Sequence, residues 1–144
     1  MSDVTPTVGI VILDGNRVCM VRHGEAAQHL TGVHGIPGGR LNEDEELIDA
    51  AVREAYEETG LEINKEDFLQ LPEVRYADIS RKNGEILSVS WTVFVTNKFT
   101  GDLKGSDETI PEWIEIERIG ELTILPNTEV VVNEGRELLV TNGI

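Results

Sequence analysis

The sequence predicts an α/β or α+β fold in which helices layer on a sheet. Three observations carry this. Short β-branched runs bounded by turn residues recur along the chain. One long uninterrupted amphipathic segment lies in the first half, and a second helix with a capping residue closes the chain. Strands joined both by hairpins and through helices favour a sheet with helical layers over a bundle or a sandwich. At 144 residues a single domain over 1–144 is expected.

Residues 7–13 are rich in valine and isoleucine and read as the first strand. Asp14-Gly15-Asn16 is a turn signal, and 17–22 resumes an apolar strand, so the chain opens with a hairpin. Residues 23–33 read as a loop. Gly35-Ile36-Pro37-Gly38-Gly39 then breaks the backbone pattern. Asn42 is expected to cap the central helix, with Glu45 reaching back to it as in a capping box. Gly60 suits the left-handed residue at the far end. Ile48, Ala51, Val52, Ala55 and Tyr56 gather on one side and predict its core face. Residues 69–76 and 86–96 read as strands, 100–108 as a loop and 113–116 as a short strand. Asn127 or Thr128 is expected to cap a last helix reaching about Val140.

The charge balance narrows function. The chain has 12 Lys+Arg against 27 Asp+Glu, a formal charge of -15. That excludes a basic surface for gripping nucleic acid and a polybasic membrane binder. Cys19 is the single cysteine, so no intrachain disulfide forms. It lies in an apolar run and is expected to be a buried small side chain. His23, His29 and His34 have no zinc spacing. The absence of a long apolar run and of a basic, apolar leader leads to the expectation of a cytoplasmic protein without membrane contact. No Gly-x-Gly-x-x-Gly, phosphate-loop or EF-hand pattern occurs.

The acidity is uneven. Residues 42–67 hold 11 Asp+Glu against Arg53 and Lys65. Within that stretch Glu54, Glu57 and Glu58 stand at i, i+3 and i+4 and share an arc of about 100° on a helix. Carboxylates packed this closely repel. A solvated glutamate face and a site for a hard divalent cation are the two readings.

Gly39, five residues, Glu45, seven residues, then Arg53-Glu54-Ala55-Tyr56-Glu57-Glu58-Thr59-Gly60-Leu61 resembles the Nudix box, Gly-x5-Glu-x7-Arg-Glu-U-x-Glu-Glu-x-Gly-U with U aliphatic. All seven fixed positions match. Ala55, smaller than the usual aliphatic, is the departure. The preceding Ile36-Pro37-Gly38-Gly39 and the acidic loop ahead of Trp113 also look like the family.

The resemblance implies an α/β/α sandwich with a mixed central sheet. It implies a hydrolase that splits a nucleoside diphosphate linked to a moiety X, using Mg2+ or Mn2+. By resemblance Glu54, Glu57 and Glu58 ligate metal, joined by the Gly38 carbonyl, and Arg53 orients them. Glu45, Gly39 and Gly60 are then structural. The general base is Glu57 or a glutamate on a later loop, where Glu108 matches best, with Asp107 and Glu112 as neighbours. Arg22 and Arg40 are candidate phosphate contacts through their forked donors. Asn127 stands near the position where MutT-type members read a purine, but an N-cap role is the preferred reading. Tyr76 is a weak pointer to dinucleoside polyphosphates, and Pro72 lies too early to mark an ADP-ribose hydrolase. The implied partner is a nucleotide-type polyphosphate. A homodimer is left open. The leading activity is a MutT-like nucleoside triphosphate pyrophosphatase. The alternatives are dinucleoside polyphosphate or nucleotide-sugar hydrolysis, or a catalytically silent nucleotide-binding module.

Overall fold

A computed structural model describes residues 4–23, 32–80, 83–106 and 108–143. The readings for His29 and Asp107 lie outside these residues. The opening hairpin forms as expected: β1 spans Thr5–Asp14 and β2 Arg17–His23. Both faces of β1 are buried, with Val8, Ile10 and Ile12 on one side and Val11 and Leu13 on the other. A strand covered on two faces reads as a continuous apolar run, which is what 8–13 shows.

The next elements are β3 (His34–Gly35), β4 (Gly38–Arg40) and helix α1 (Leu47–Thr59). Beyond a 3-10 turn at Lys65–Asp67 come β5 (Leu69–Gln70), β6 (Arg75–Ser80), β7 (Ile86–Thr96) and β8 (Thr109–Glu115). A second 3-10 turn, Ile116–Glu121, leads towards helix α2, Thr128–Thr141. The sheet runs β3-β2-β1-β7-β5, with β4 also on β1, β6 on β7 and β8 on β2. β1 and β7 are parallel and the other pairs antiparallel, so the sheet is mixed.

α1 covers one face and α2 the other, giving the expected three layers. Ala50, Ala51 and Ala55 let α1 lie close over Ile10, Ile12, Cys19 and Phe94. Val131, Val132 and Leu139 of α2 pack on Val11, Met20, Val93 and Val95. Burying an aliphatic side chain of this size contributes about 1.5–3 kcal/mol. Cys19 is buried as expected, and burial, with the Glu58 charge second, pushes its thiol up to about 12.

Several expectations need correction. β8 starts at Thr109 and ends at Glu115, where a strand over 113–116 is expected. α1 starts at Leu47, not beside Asn42. Asn42 and Glu45 form a separate turn, in which the Glu45 carboxylate takes the Asn42 N–H at 2.8 Å. Tyr56 is 56% exposed, because the close alanine contact narrows the buried stripe of α1. Residues 69–76 are not one strand. β5 ends at Gln70, Leu71 drops into the core, and β6 begins only at Arg75.

Candidate functional site

The glycine segment positions the site. β4 pairs with β1 through Thr7–Arg40, Val8–Gly39 and Gly9–Gly38, and the Ile10 N–H donates to the Pro37 carbonyl at 2.9 Å. This lays Gly38 and Gly39 against the glutamate face of α1. The Gly38 N–H donates to Glu58 Oε1 at 2.7 Å. A Cβ on Gly39 would stand 2.6–2.8 Å from the Glu54 carboxylate, so any larger residue there displaces that carboxylate.

Arg53 binds the rest together. Its Nε and Nη2 donate to the two Glu45 oxygens, both at 2.9 Å. Nη1 donates to Glu54 at 2.7 Å and to Glu57 at 3.0 Å, and Nη2 also reaches the Arg40 carbonyl at 2.9 Å. These bonds, led by that to Glu45, raise the guanidinium pKa, and the Arg53 hydrogen bond holds Glu45 below the usual carboxylate range. Arg40 enters this network through its backbone carbonyl rather than its side chain. Glu45 anchors the arginine rather than capping α1. Gly60 closes α1 at φ 83° with its N–H on the Tyr56 carbonyl, as expected.

The electrostatics single out Glu58. Burial first, then the charges of Glu54, Glu57 and Glu108, push its carboxyl up to about 8, against the opposing Gly38 bond. Glu54 is also raised, chiefly by burial. Among the described residues no three His, Cys, Asp or Glu side chains are already gathered as a metal cluster. Arg53 holds Glu54 and Glu57, and Gly38 holds Glu58. The donor set nonetheless fits a hard cation: oxygen ligands on one helical turn, with a buried carboxylate whose charge its neighbours oppose.

Glu108 comes to the same end of the molecule. Its N–H donates to Ser106 Oγ at 3.2 Å, and Thr109 Oγ1 donates to the Glu58 carbonyl at 3.4 Å. The Lys104 N–H donates to the Thr59 carbonyl at 2.7 Å, tying the loop to the end of α1. Arg22, next to last in β2, donates from Nε to Glu112 Oε1 at 3.4 Å on the neighbouring strand. Asn127 occupies the N-cap position at φ 67°, but its side chain makes no capping bond, so the preferred role is corrected. Thr128 Oγ1 instead donates to the Leu125 carbonyl at 2.7 Å. An open groove of about 660 Å³ flanks α1, and of the site residues only Arg53 borders it.

Sequence reasoning missed His34. It is buried, and its Nε2 lies 3.4 Å from Glu112 Oε1. A two-residue strand after a loop carries no periodicity that would have revealed it.

The NUDIX domain family model matches residues 3–135. The chain belongs to the NUDIX domain family, whose hydrolases act on pyrophosphate bonds. Among solved structures it is similar to the NUDIX domain of Shewanella oneidensis NrtR complexed with ADP ribose, at TM-score 0.76 and 17% identity, covering 96% of this chain and 90% of that one. A MutT NUDIX hydrolase from Burkholderia pseudomallei gives TM-score 0.74 at 19% identity, covering 92% and 98%. A C. elegans Ap4A hydrolase gives 0.65 at 22%, covering 96% and 99%. No curated protein sequence matches the chain. Among the described residues no helix is long and apolar enough to cross a membrane.

Proposed function

We propose that the chain, as one catalytic domain, is a divalent-metal-dependent pyrophosphohydrolase of nucleotides, with a MutT-like nucleoside triphosphate pyrophosphatase as its leading activity. The observation that carries the reading is the buried Glu58 carboxyl, opposed by Glu54, Glu57 and Glu108 on a face organised by one arginine. Mg2+ or Mn2+ held by Glu54, Glu57 and Glu58, with the Gly38 carbonyl, would neutralise phosphate oxygens and polarise phosphorus.

The chain's own residues then divide the work. Arg53 keeps Glu54 and Glu57 oriented from the side. Glu57 or Glu108 accepts the proton of the attacking water. The water oxygen bonds to phosphorus, and the bond from that phosphorus to the bridging oxygen breaks. The second phosphate group leaves with that oxygen. Arg22 and Arg40 offer guanidinium groups to the polyphosphate, and the Asn127 amide, which makes no capping bond, can donate to and accept from a base. The site of action is cytoplasmic in this reading.

The test is a nucleotide panel with Mg2+, its products resolved by ion exchange. A nucleoside monophosphate plus pyrophosphate is expected. Two nucleotides would instead assign a dinucleoside polyphosphate, the class named for the C. elegans neighbour. Tight binding without turnover would sink the enzyme reading and leave a binding module.

A further inference from the structure

Arg22, His34 and Glu112 point to one face of the sheet. Arg22 is registered with His34 on β3 and with Ile110 on β8, and Glu112 stands two residues further along β8, opposite Met20. Residues opposite each other in a sheet share a face, and so do residues two apart. Met20 belongs to the core beneath α2, which identifies that face.

One atom joins the three. Glu112 Oε1 lies 3.4 Å from Arg22 Nε and 3.4 Å from His34 Nε2. A carboxylate beside a lone arginine favours the fork, two oxygens on two nitrogens. Glu112 does not form it, and the terminal nitrogens of Arg22 carry no bond to the described residues. The histidine explains why. Its ring is buried, and its Nδ1 has no partner among the described residues. A proton on Nε2 faces Glu112 Oε1, the acceptor nearest that nitrogen among the described residues, and leaves a lone pair rather than an N–H at Nδ1. The backbone of His34 is anchored: its N–H donates to the Thr123 carbonyl at 2.8 Å, and the Leu125 N–H to the His34 carbonyl at 2.9 Å. His34 thus presents Nε2 to the Glu112 carboxylate from an anchored backbone, 3.4 Å away.

We propose that His34 is a positioning residue that restrains Glu112, so that the outer edge of Arg22 stays open to a substrate phosphate. This rests on the reading of Arg22 as a phosphate contact. Without the restraint, Glu112 swings onto the guanidinium fork and competes with the phosphate.

Calorimetric titration of the full chain with inorganic tripolyphosphate and Mg2+ tests this. His34→Leu is expected to weaken binding about three- to tenfold, with the loss absent in a Glu112→Gln background. His34→Gln, whose amide N–H can replace Nε2, should stay within about twofold of the parent. If His34→Leu folds poorly, His34→Asn replaces it, because that amide stops short of Glu112. An equal loss in both backgrounds would mark His34 as merely structural and overturn the inference. So would no loss in the parent, or a parent that does not bind tripolyphosphate. Nucleotide turnover is measured on the same samples. An intact coupling without turnover overturns the hydrolase reading alone, and turnover with additive effects overturns the inference alone.

Discussion

Gly38 and Gly39 are adjacent, yet an alanine at each should fail differently. At Gly39 the new Cβ would meet Glu54 Oε2 at 2.6 Å, Cδ at 2.7 Å and Oε1 at 2.8 Å. Ordinary contact begins at 3.4 Å, so the carboxylate must retreat by 0.6–0.8 Å, from 3.4 minus 2.8 and 3.4 minus 2.6. The obstacle is the far end of a flexible side chain, which can move. Stability should fall by about 1 kcal/mol, roughly 3 °C in melting temperature. The retreat strains the 2.7 Å bond to Arg53 and displaces a candidate metal ligand. A misplacement near 1 Å can cost about 100-fold in rate, so kcat should drop roughly 10- to 100-fold. At Gly38 the Cβ would overlap the Val8 carbonyl and stand 3.1 Å from the Gly9 Cα. Backbone cannot swing aside, so β4 must leave β1, at a cost of about 2–4 kcal/mol and roughly 6–12 °C. Steady-state kinetics and thermal melts on both variants decide the matter. A Gly39→Ala enzyme with kcat within about twofold of the parent would refute the reasoning. So would one that melts as early as Gly38→Ala.

Glu57→Gln and Glu58→Gln should each lower kcat by about two orders of magnitude or more while leaving the fold intact by circular dichroism; near-parental turnover in both would refute the metal assignment. Arg53→Lys keeps the charge but loses the fork that spans Glu45, Glu54, Glu57 and the Arg40 carbonyl. It should cost roughly 10- to 100-fold in kcat with a smaller change in KM, and an effect confined to KM would contradict an orienting role. The raised Glu58 pKa also predicts how metal-free stability varies with pH. The folded carboxyl titrates near 8 against 4.5 in the unfolded chain, so across that window the folded state binds the extra proton. Stability should therefore fall as pH rises from about 5 to 8. Thermal melts in a chelator should show this slope, Glu58→Gln should flatten it, and Mg2+ should reverse it. Glu45 acts oppositely: its lowered pKa contributes stability that is present above the unfolded value and lost as acid protonates it.

How much of this was legible in the sequence depended on the range of the interactions. The glutamate face of α1 and its Gly60 terminus are local, set by 3.6 residues per turn and one left-handed backbone angle, and both could be read from spacing. The start of α1 could not, because Asn42 and Glu45 satisfy the local signature of a cap while forming a turn of their own. Tyr56 was misjudged because periodicity ranks residues by direction, whereas the depth of burial is set by how closely the alanines let the helix approach. Arg53 leaves the helix about 100° from Glu54, yet its side chain is long enough to curl back onto Glu54 and, one turn on, Glu57. What connects His34, Arg22 and Glu112 is pairing between strands distant in sequence, and two residues of β3 leave no pattern to read. The box is thus legible because one helix carries most of it. The candidate substrate contacts, Arg22, Arg40 and Asn127, stand near strand ends and at a helix start. There a mutation's effect has to be argued from register and contact, not spacing.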